Sequence, residues 1–320
     1  MDSTVVMYDD TTKQIADGML DGIQCRLSAT KWDRYPDGLP KMFVNQQQDL
    51  AAKDVVYVTA LSDCETALRV AIMVRHLNNC HVRSLSLIVT AYMFGTDDRA
   101  DRPGMVVTGK HVIGIIEDSM QAAKGIPQSI FMCEPHTYQL LEYNRSSMHC
   151  IDIMPSMLKH VLNEHCSSTD GPLCVVMPDN GADKRYNMIV ANIPQLSKIV
   201  CNKVRGADGI VKTTILENHT DRIRRPTGYV IIDDIVRSGS TLIQCYQAIR
   251  EIAGPKPEIS VAIVHADFVG DAVNRIHGSE IRRFYISDSN PRLTATVTDV
   301  TPFIVVPVAP VIVSNIVGNK

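Results

Sequence analysis

The chain has 320 residues, 45% of them apolar, enough to bury a large core and to build two domains of roughly 150 residues each. A formal charge of −3 without a basic tail excludes a general nucleic-acid or membrane-surface binder. No run of about 18 apolar residues is present, so neither a span nor a secretory signal is expected, and nine cysteines without a Cys-x-x-Cys pair fit the reduced thiols of a cytoplasmic protein.

In chain order the pattern alternates strand and helix. Residues 4–8 read as a strand and 13–23 as a helix with Ile15, Met19 and Ile23 on one face. Residues 32–40 read as a turn around Tyr35-Pro36-Asp37-Gly38, leading to a strand at 41–44; strand 55–60, helix 65–77 and strand 85–91 follow. Residues 96–104 are too polar for a core element and read as a surface loop. Helix 106–124 and strand 129–133 complete an N-terminal sheet, with Glu134-Pro135-His136 just past its last strand. The rhythm then repeats with helix 156–165, strand 173–177, the acidic turn at Asp179, helix 182–192 and strand 198–202. Residues 203–209, with Lys203 and Arg205 on alternate positions before glycines, read either as a mobile cationic flap or as a solvated hairpin. Strand 229–232 is expected to end in Asp233 and Asp234, followed by the turn 237–241, helix 242–253, strand 259–265, helix 269–276, strand 281–286, strand 303–306 and a closing helix 309–317. This order predicts an α/β fold of two doubly wound domains with parallel central sheets. The boundaries expected are 1–150 and 151–320, the last helix being free to pack back on the N-terminal domain.

The richest stretch is Tyr-Val-Ile-Ile-Asp-Asp-Ile-Val-Arg-Ser-Gly-Ser-Thr-Leu at 229–242. A glycine turn that opens a helix aims backbone N–H groups and the positive end of the helix dipole at one point, where a phosphate fits. Ser238, Ser240 and Thr241 add hydroxyl donors, and Asp233 with Asp234 offers acceptors for vicinal hydroxyls or Mg²⁺. Phosphate at one end and diol at the other describe a ribose 5-phosphate. Two decoys fail. Residues 104–110 match the spacing of a Walker loop, but His111 stands where the metal-binding hydroxyl belongs. The neighbouring pairs His149-Cys150 and His165-Cys166 lack further ligands at zinc spacing.

That stretch resembles the phosphoribosyl-diphosphate (PRPP) loop of type I phosphoribosyltransferases and PRPP synthetases. Further matches are Tyr-Pro-Asp-Gly at 35–38, Glu-x-His at 134–136, Pro-Asp-x-Gly-Ala-x-Lys-Arg at 178–185, Cys-x-Lys-Val-Arg at 201–205 and Ile-Ser-Asp-Ser-x-Pro at 286–291. Together they make nearly the whole chain similar to ribose-phosphate diphosphokinases, closest to the plant cytosolic branch. The resemblance implies two type I phosphoribosyltransferase-like domains and Mg²⁺-dependent transfer of the diphosphoryl group of ATP to O1 of ribose 5-phosphate, giving PRPP and AMP for nucleotide biosynthesis. It makes Lys203 and Arg205 catalytic. It places the ribose 5-phosphate or PRPP on Asp233, Asp234, Arg237, Ser238, Gly239, Ser240 and Thr241. It places the nucleotide on Tyr35, Asp37, Arg99 and His136, and metal on Glu134, His136 and Asp179. A homo-oligomer built from dimers, up to a hexamer, is implied, with no nucleic-acid or membrane partner. Leu39, Thr96 with Asp97, Arg237 and Ser240 depart from the family's commoner residues, and the first three positions line the nucleotide site, so donors besides ATP are left open. A phosphoribosyltransferase consuming PRPP with a nucleobase, or a catalytically silent regulatory subunit, are the alternatives.

Overall fold

The structure is a computed structural model that describes residues 3–44, 50–97, 99–100, 102–122, 125–139, 147–168, 172–193, 196–205, 211–215, 226–253 and 258–318. The chain divides into two compact units, the first formed by residues 1–153, 289–292 and 307–320 and the second by residues 154–288 and 293–306.

The first unit holds strands β1 (Thr4–Tyr8), β2 (Arg26–Arg34), β3 (Pro40–Val44), β4 (Asp54–Leu61), β5 (Ser84–Tyr92), β6 (Gln128–Cys133) and β7 (Ser147–Ile151). They form one sheet in the order β3-β2-β1-β4-β5-β6-β7. Every pairing is parallel except the β2–β3 hairpin. Helices α1 (Lys13–Met19), α2 (Cys64–Asn79) and α3 (Thr108–Met120) connect the strands. Val55, Tyr57, Leu85, Leu87, Val89 and Ile130 pack under Val70, Val74, Leu77, Ile113 and Ile116. Strands buried on both faces become continuous apolar runs, the signal that betrayed β4 and β5 in the sequence.

The second unit repeats this plan. Its strands β8 (Leu173–Met177), β9 (Leu196–Arg205), β10 (Val211–Ile215), β11 (Gly228–Val236), β12 (Glu258–Ala266), β13 (Arg283–Ser287) and β14 (Phe303–Val306) run in the order β10-β9-β8-β11-β12-β13-β14. That order is the first sheet's with seven added to each number, and again only the edge hairpin, β9–β10, is antiparallel. Its helices are α4 (Met154–Ser168), α5 (Asn180–Ala191), α6 (Ser240–Ala253) and α7 (Ala272–His277), with a single turn α8 (Pro291–Thr294) before β14. A last helix, α9 (Ala309–Gly318), belongs to the first unit and lies against α1. There Gly18 and Gly22 leave the room: a Cβ on Gly18 would stand 2.9 Å from that of Ala309, and one on Gly22 would overlap Val313.

Three expectations about elements are corrected. The turn expected at 32–40 is the tip of a hairpin whose first strand, β2, starts at Arg26. Its inward residues are Ser28 and Thr30, both buried and neither hydrophobic, so the period-2 signal was faint. Strand β11 does not stop at Ile232 but continues through both carboxylates to Val236, because β12 pairs with it as far as Ala266. Helix α1 ends at Met19, short of Ile23.

Candidate active site

In an open α/β sheet, ligands gather at the carboxyl ends of the strands where the strand order reverses. In the second unit that switch point lies between β8 and β11, so the turn after β8 and the turn after β11 stand side by side. The first carries Asp179; the second, Arg237 to Gly239, follows Asp233 and Asp234 on β11.

Asp179 is the N-cap of α5, its Oδ1 accepting from the N–H groups of Gly181 at 2.9 Å and Ala182 at 3.1 Å. On β11, Asp233 is half-buried and Asp234 buried. The Asp233 Oδ1 accepts from the Asp234 N–H at 3.0 Å, and Arg185 of α5 brings Nη2 to 3.8 Å from Asp234 Oδ2, both side chains largely buried. Burial first, then the charges of Asp234 and Asp179, raise the Asp233 carboxyl well above the ordinary aspartate range. Three carboxylates, those of Asp179, Asp233 and Asp234, thus stand at the switch point with Arg185 beside them, an arrangement suited to a cation.

The turn that follows has the opposite character. Gly239 takes φ +73°, a conformation that costs L residues more than glycine. A Cβ there would also press on Ile276 Cγ1 and Cδ1 at 3.2 Å. The Ser238 hydroxyl donates to Ser240 Oγ at 3.2 Å and accepts from the Ser240 N–H at 3.3 Å. Gly239 O accepts from Ile243 N–H at 3.1 Å as α6 begins, and no acidic residue lies in its first turn. The N–H groups of a first helical turn have no acceptor within the helix; here that turn has no carboxylate of its own. Arg237 points elsewhere, its Nε 2.9 Å from Asp267 Oδ2. Lys203 and Arg205 lie on the outer end of β9, opposite Thr213 and Val211 of β10. Their side chains, and residues 206–209 of the expected flap, lie outside the described residues.

The nucleotide-side residues all fall in the first unit. Tyr35, Asp37 and Gly38 form the tip of the β2–β3 hairpin: Gly38 N–H donates to Tyr35 O at 2.8 Å, and Asp37 Oδ1 accepts from Leu39 N–H at 3.1 Å. Tyr35 is 49% exposed, with Lys41 Nζ 5.2 Å from its ring centre. Arg99 is exposed in the loop after β5. Just before it, Asp97 accepts from the N–H of Thr108 at 2.8 Å and from its hydroxyl, closing the start of α3. Those two bonds lower the Asp97 pKa. His136 is half-buried past β6. Glu134 is buried, stands in the left-handed region at φ +42° and accepts from Ile153 N–H at 2.7 Å. Strands β1 and β4 separate β2 from β5, about 14 Å at the usual strand spacing. Arg99 and His136 thus follow adjacent strands, β5 and β6, whereas Tyr35 and Asp37 sit on the hairpin that β2 begins, on the other side of the switch point.

Among the described residues, no group of three or more His, Cys, Asp or Glu is placed to hold a metal ion. Sequence reasoning also missed Arg185 and Asp267, the partners of Asp234 and Arg237; a carboxylate inside a strand is a cue to seek a buried cation, whereas nothing local marks Asp267.

Fold and site together define a tandem of two doubly wound α/β units, the second carrying an acidic strand end before a glycine turn. The chain is similar over almost its full length to ribose-phosphate pyrophosphokinases. It is 26% identical over 285 residues to the chloroplastic ribose-phosphate pyrophosphokinase 3 of Oryza sativa subsp. japonica, covering 87% of this chain and 66% of the rice protein. It is 26% identical over 313 residues to that of Arabidopsis thaliana, covering 95% and 73%, and 24% identical over 266 residues to the Sulfolobus acidocaldarius ribose-phosphate pyrophosphokinase, covering 82% and 85%. The crystal structure of phosphoribosylpyrophosphate synthetase from Mycobacterium smegmatis superposes with a TM-score of 0.77 over 99% of this chain and 100% of that one, at 16% identity. No family model matches the chain.

Proposed function

We propose that the chain is a ribose-phosphate diphosphokinase: O1 of ribose 5-phosphate attacks the β-phosphorus of ATP, the bond from that phosphorus to the oxygen of the α-phosphate breaks, and PRPP and AMP form. The observation that carries this reading is the second unit's switch point, where a cation-seeking acidic pair stands directly before an anion-seeking turn. In this reading the first-turn N–H groups and the hydroxyls of Ser238, Ser240 and Thr241 hold the 5-phosphate, while Asp233 and Asp234 receive the ribose hydroxyls. Such a transfer leaves little covalent chemistry to the protein, and positioning with charge stabilisation supplies the rate. Lys203 and Arg205, at the outer end of β9, are assigned to the charge that builds on the β-phosphate and on departing AMP.

The carboxylates fit Mg²⁺ of one kind only. Magnesium is ordinarily held by one or two carboxylates plus substrate phosphates rather than by an all-protein cage, which suits an acidic pair near Asp179 without a third ligand. Bound there, the ion would neutralise phosphate oxygens and orient the diphosphoryl group. The separation of Tyr35 and Asp37 from Arg99 and His136 supports a homo-oligomer, in which a neighbouring copy lends its hairpin tip to the nucleotide. Among the described residues no helix is long and apolar enough to cross a membrane, and the described cysteines carry no disulfide. We assign the protein to the cytoplasm on those thiols, although plant relatives are named chloroplastic or mitochondrial.

The test is a product assay with ribose 5-phosphate, ATP and Mg²⁺ that separates AMP from ADP, with Lys203→Ala in parallel. AMP and PRPP should appear in equal amounts, and the variant should lose roughly 10²-fold or more in rate. If no nucleoside triphosphate yields AMP, the reading fails and PRPP consumption with nucleobases is measured next.

A further inference from the structure

The phosphate turn is braced by a segment that the functional reading does not use. Arg237 opens the turn, and its Nε sits 2.9 Å from Asp267 Oδ2, the carboxylate 16% exposed and the guanidinium 55%. Asp267 stands just past β12, where its own N–H donates to Val236 O at 2.9 Å; two residues on, Val269 N–H donates to Arg237 O at 3.1 Å. Three bonds thus join residues 236–237 to residues 267–269. The strap is itself anchored. Phe268 packs edge-on against Phe303 with ring centres 5.5 Å apart, and Ile276 of α7, fully buried, closes the space beneath Gly239.

A guanidinium committed to a carboxylate presents no net charge, and one that bonds along the strap is not directed at the centre of the turn. We infer that Arg237 and Asp267 are positioning residues. Paired, they hold residues 236–241 in the shape that aims amides and hydroxyls at the sugar phosphate, and Arg237 is not itself a phosphate ligand. The inference rests on reading that turn as the 5-phosphate site. It explains why a cation can stand at the mouth of the turn without raising the charge of the pocket. A half-exposed ion pair shifts an equilibrium by about fivefold at most, so the expected effects are moderate and fall on binding.

The test uses Asp267→Asn, Arg237→Gln and the charge-swapped R237D/D267R in the full-length protein. Two readouts are taken: hydrogen exchange of the amides of residues 239–241 without substrate, and KM against kcat for ribose 5-phosphate at saturating ATP and Mg²⁺. Each single variant should speed exchange and raise KM by about threefold to fivefold, with kcat within about twofold of the parent. The swap should return both readouts to within about twofold, which a purely local structural role for either residue would not produce. Arg237→Gln raising KM while Asp267→Asn leaves it unchanged would make Arg237 a direct ligand and overturn the inference. So would unchanged exchange in both single variants, or a swap as impaired as the two singles together. Should the parent turn over no ribose 5-phosphate while exchange responds as described, the brace stands and the functional reading of the turn falls.

Discussion

Gly239→Ala isolates what the phosphate turn asks of its backbone. At φ +73° an alanine costs about 1–2 kcal/mol relative to glycine. Its methyl would also stand 3.2 Å from both Ile276 Cγ1 and Cδ1, and Ile276 is fully buried, so the contact must be relieved by movement, at about 1–2 kcal/mol for mild overpacking. Together the two terms predict a loss of roughly 2–4 kcal/mol, equivalent to a fall in Tm of about 4–16 °C for a unit of this size. Urea denaturation should show a lower midpoint at unchanged slope. Adding Ile276→Val removes one of the two crowded carbons, so the double variant should be more stable than the sum of the single losses predicts, the difference measuring the contact. Because the amides of the turn move with Gly239, KM for ribose 5-phosphate should rise by about tenfold, roughly 1.4 kcal/mol of binding. A Gly239→Ala protein that melts within about 1 °C of the parent with the same KM would refute both the backbone argument and the placement of the phosphate.

Three further outcomes follow from single groups. Glu134→Ala leaves the Ile153 N–H, which its Oε2 accepts at 2.7 Å, buried without that acceptor; it should cost about 1–3 kcal/mol, read as a lower urea midpoint, with Glu134→Gln milder. Asp179→Ala should lose about 1 kcal/mol of capping, whereas Asp179→Asn keeps the cap; if Asp179 also serves metal-bound phosphates, the Asn variant will hold the parent's stability and lose turnover. Asp233 holds its proton more tightly folded than unfolded, owing to burial and then to Asp234 and Asp179, so unliganded stability falls as pH rises from the ordinary aspartate range to the raised folded value. Asp233→Asn should accordingly melt higher than the parent at neutral pH, with the gap closing on acidification; a gap independent of pH would refute the assignment.

The elements legible in the sequence were those buried on both faces: β4, β5, β8 and β12 are predominantly apolar, and the glycine turn before α6 carries its own chemistry. Of the four edge strands, β3 and β14 were legible and the other two escaped. Neither β7, with its half-exposed Ser147 to Cys150, nor β10 was foreseen, because an edge strand has less to bury and less apolar signal to show. Long-range partners escaped for a different reason. Arg185 reaches Asp234, and Asp267 reaches Arg237, across 49 and 30 residues of sequence respectively, and neither pairing leaves a local pattern. Asp97, which the family resemblance placed on the nucleotide side, closes the start of α3 through two bonds to Thr108, a task that spacing alone could not reveal.

The duplicated topology also sets the turn proposed to hold the phosphate against its counterpart in the first unit. Strands β4 and β11 occupy the same place in the two sheet orders, and each feeds a helix at its switch point. At the first, Asp63 caps α2 through a reciprocal box, its Oδ1 accepting from Thr66 N–H at 2.8 Å while Thr66 Oγ1 accepts from the Asp63 N–H at 3.0 Å; Glu65 adds a second carboxylate to that turn. The positive end of this helix is already met by the chain's own anions. At the second, the corresponding position is Gly239, which has no side chain to cap with, and the first turn of α6 holds no acid. Two copies of one backbone plan therefore differ at a helix N-terminus in whether the first turn carries carboxylates of its own. The acids of the second unit stand one step earlier, on β11, where they can meet hydroxyls and a cation without competing with a phosphate for the same N–H groups.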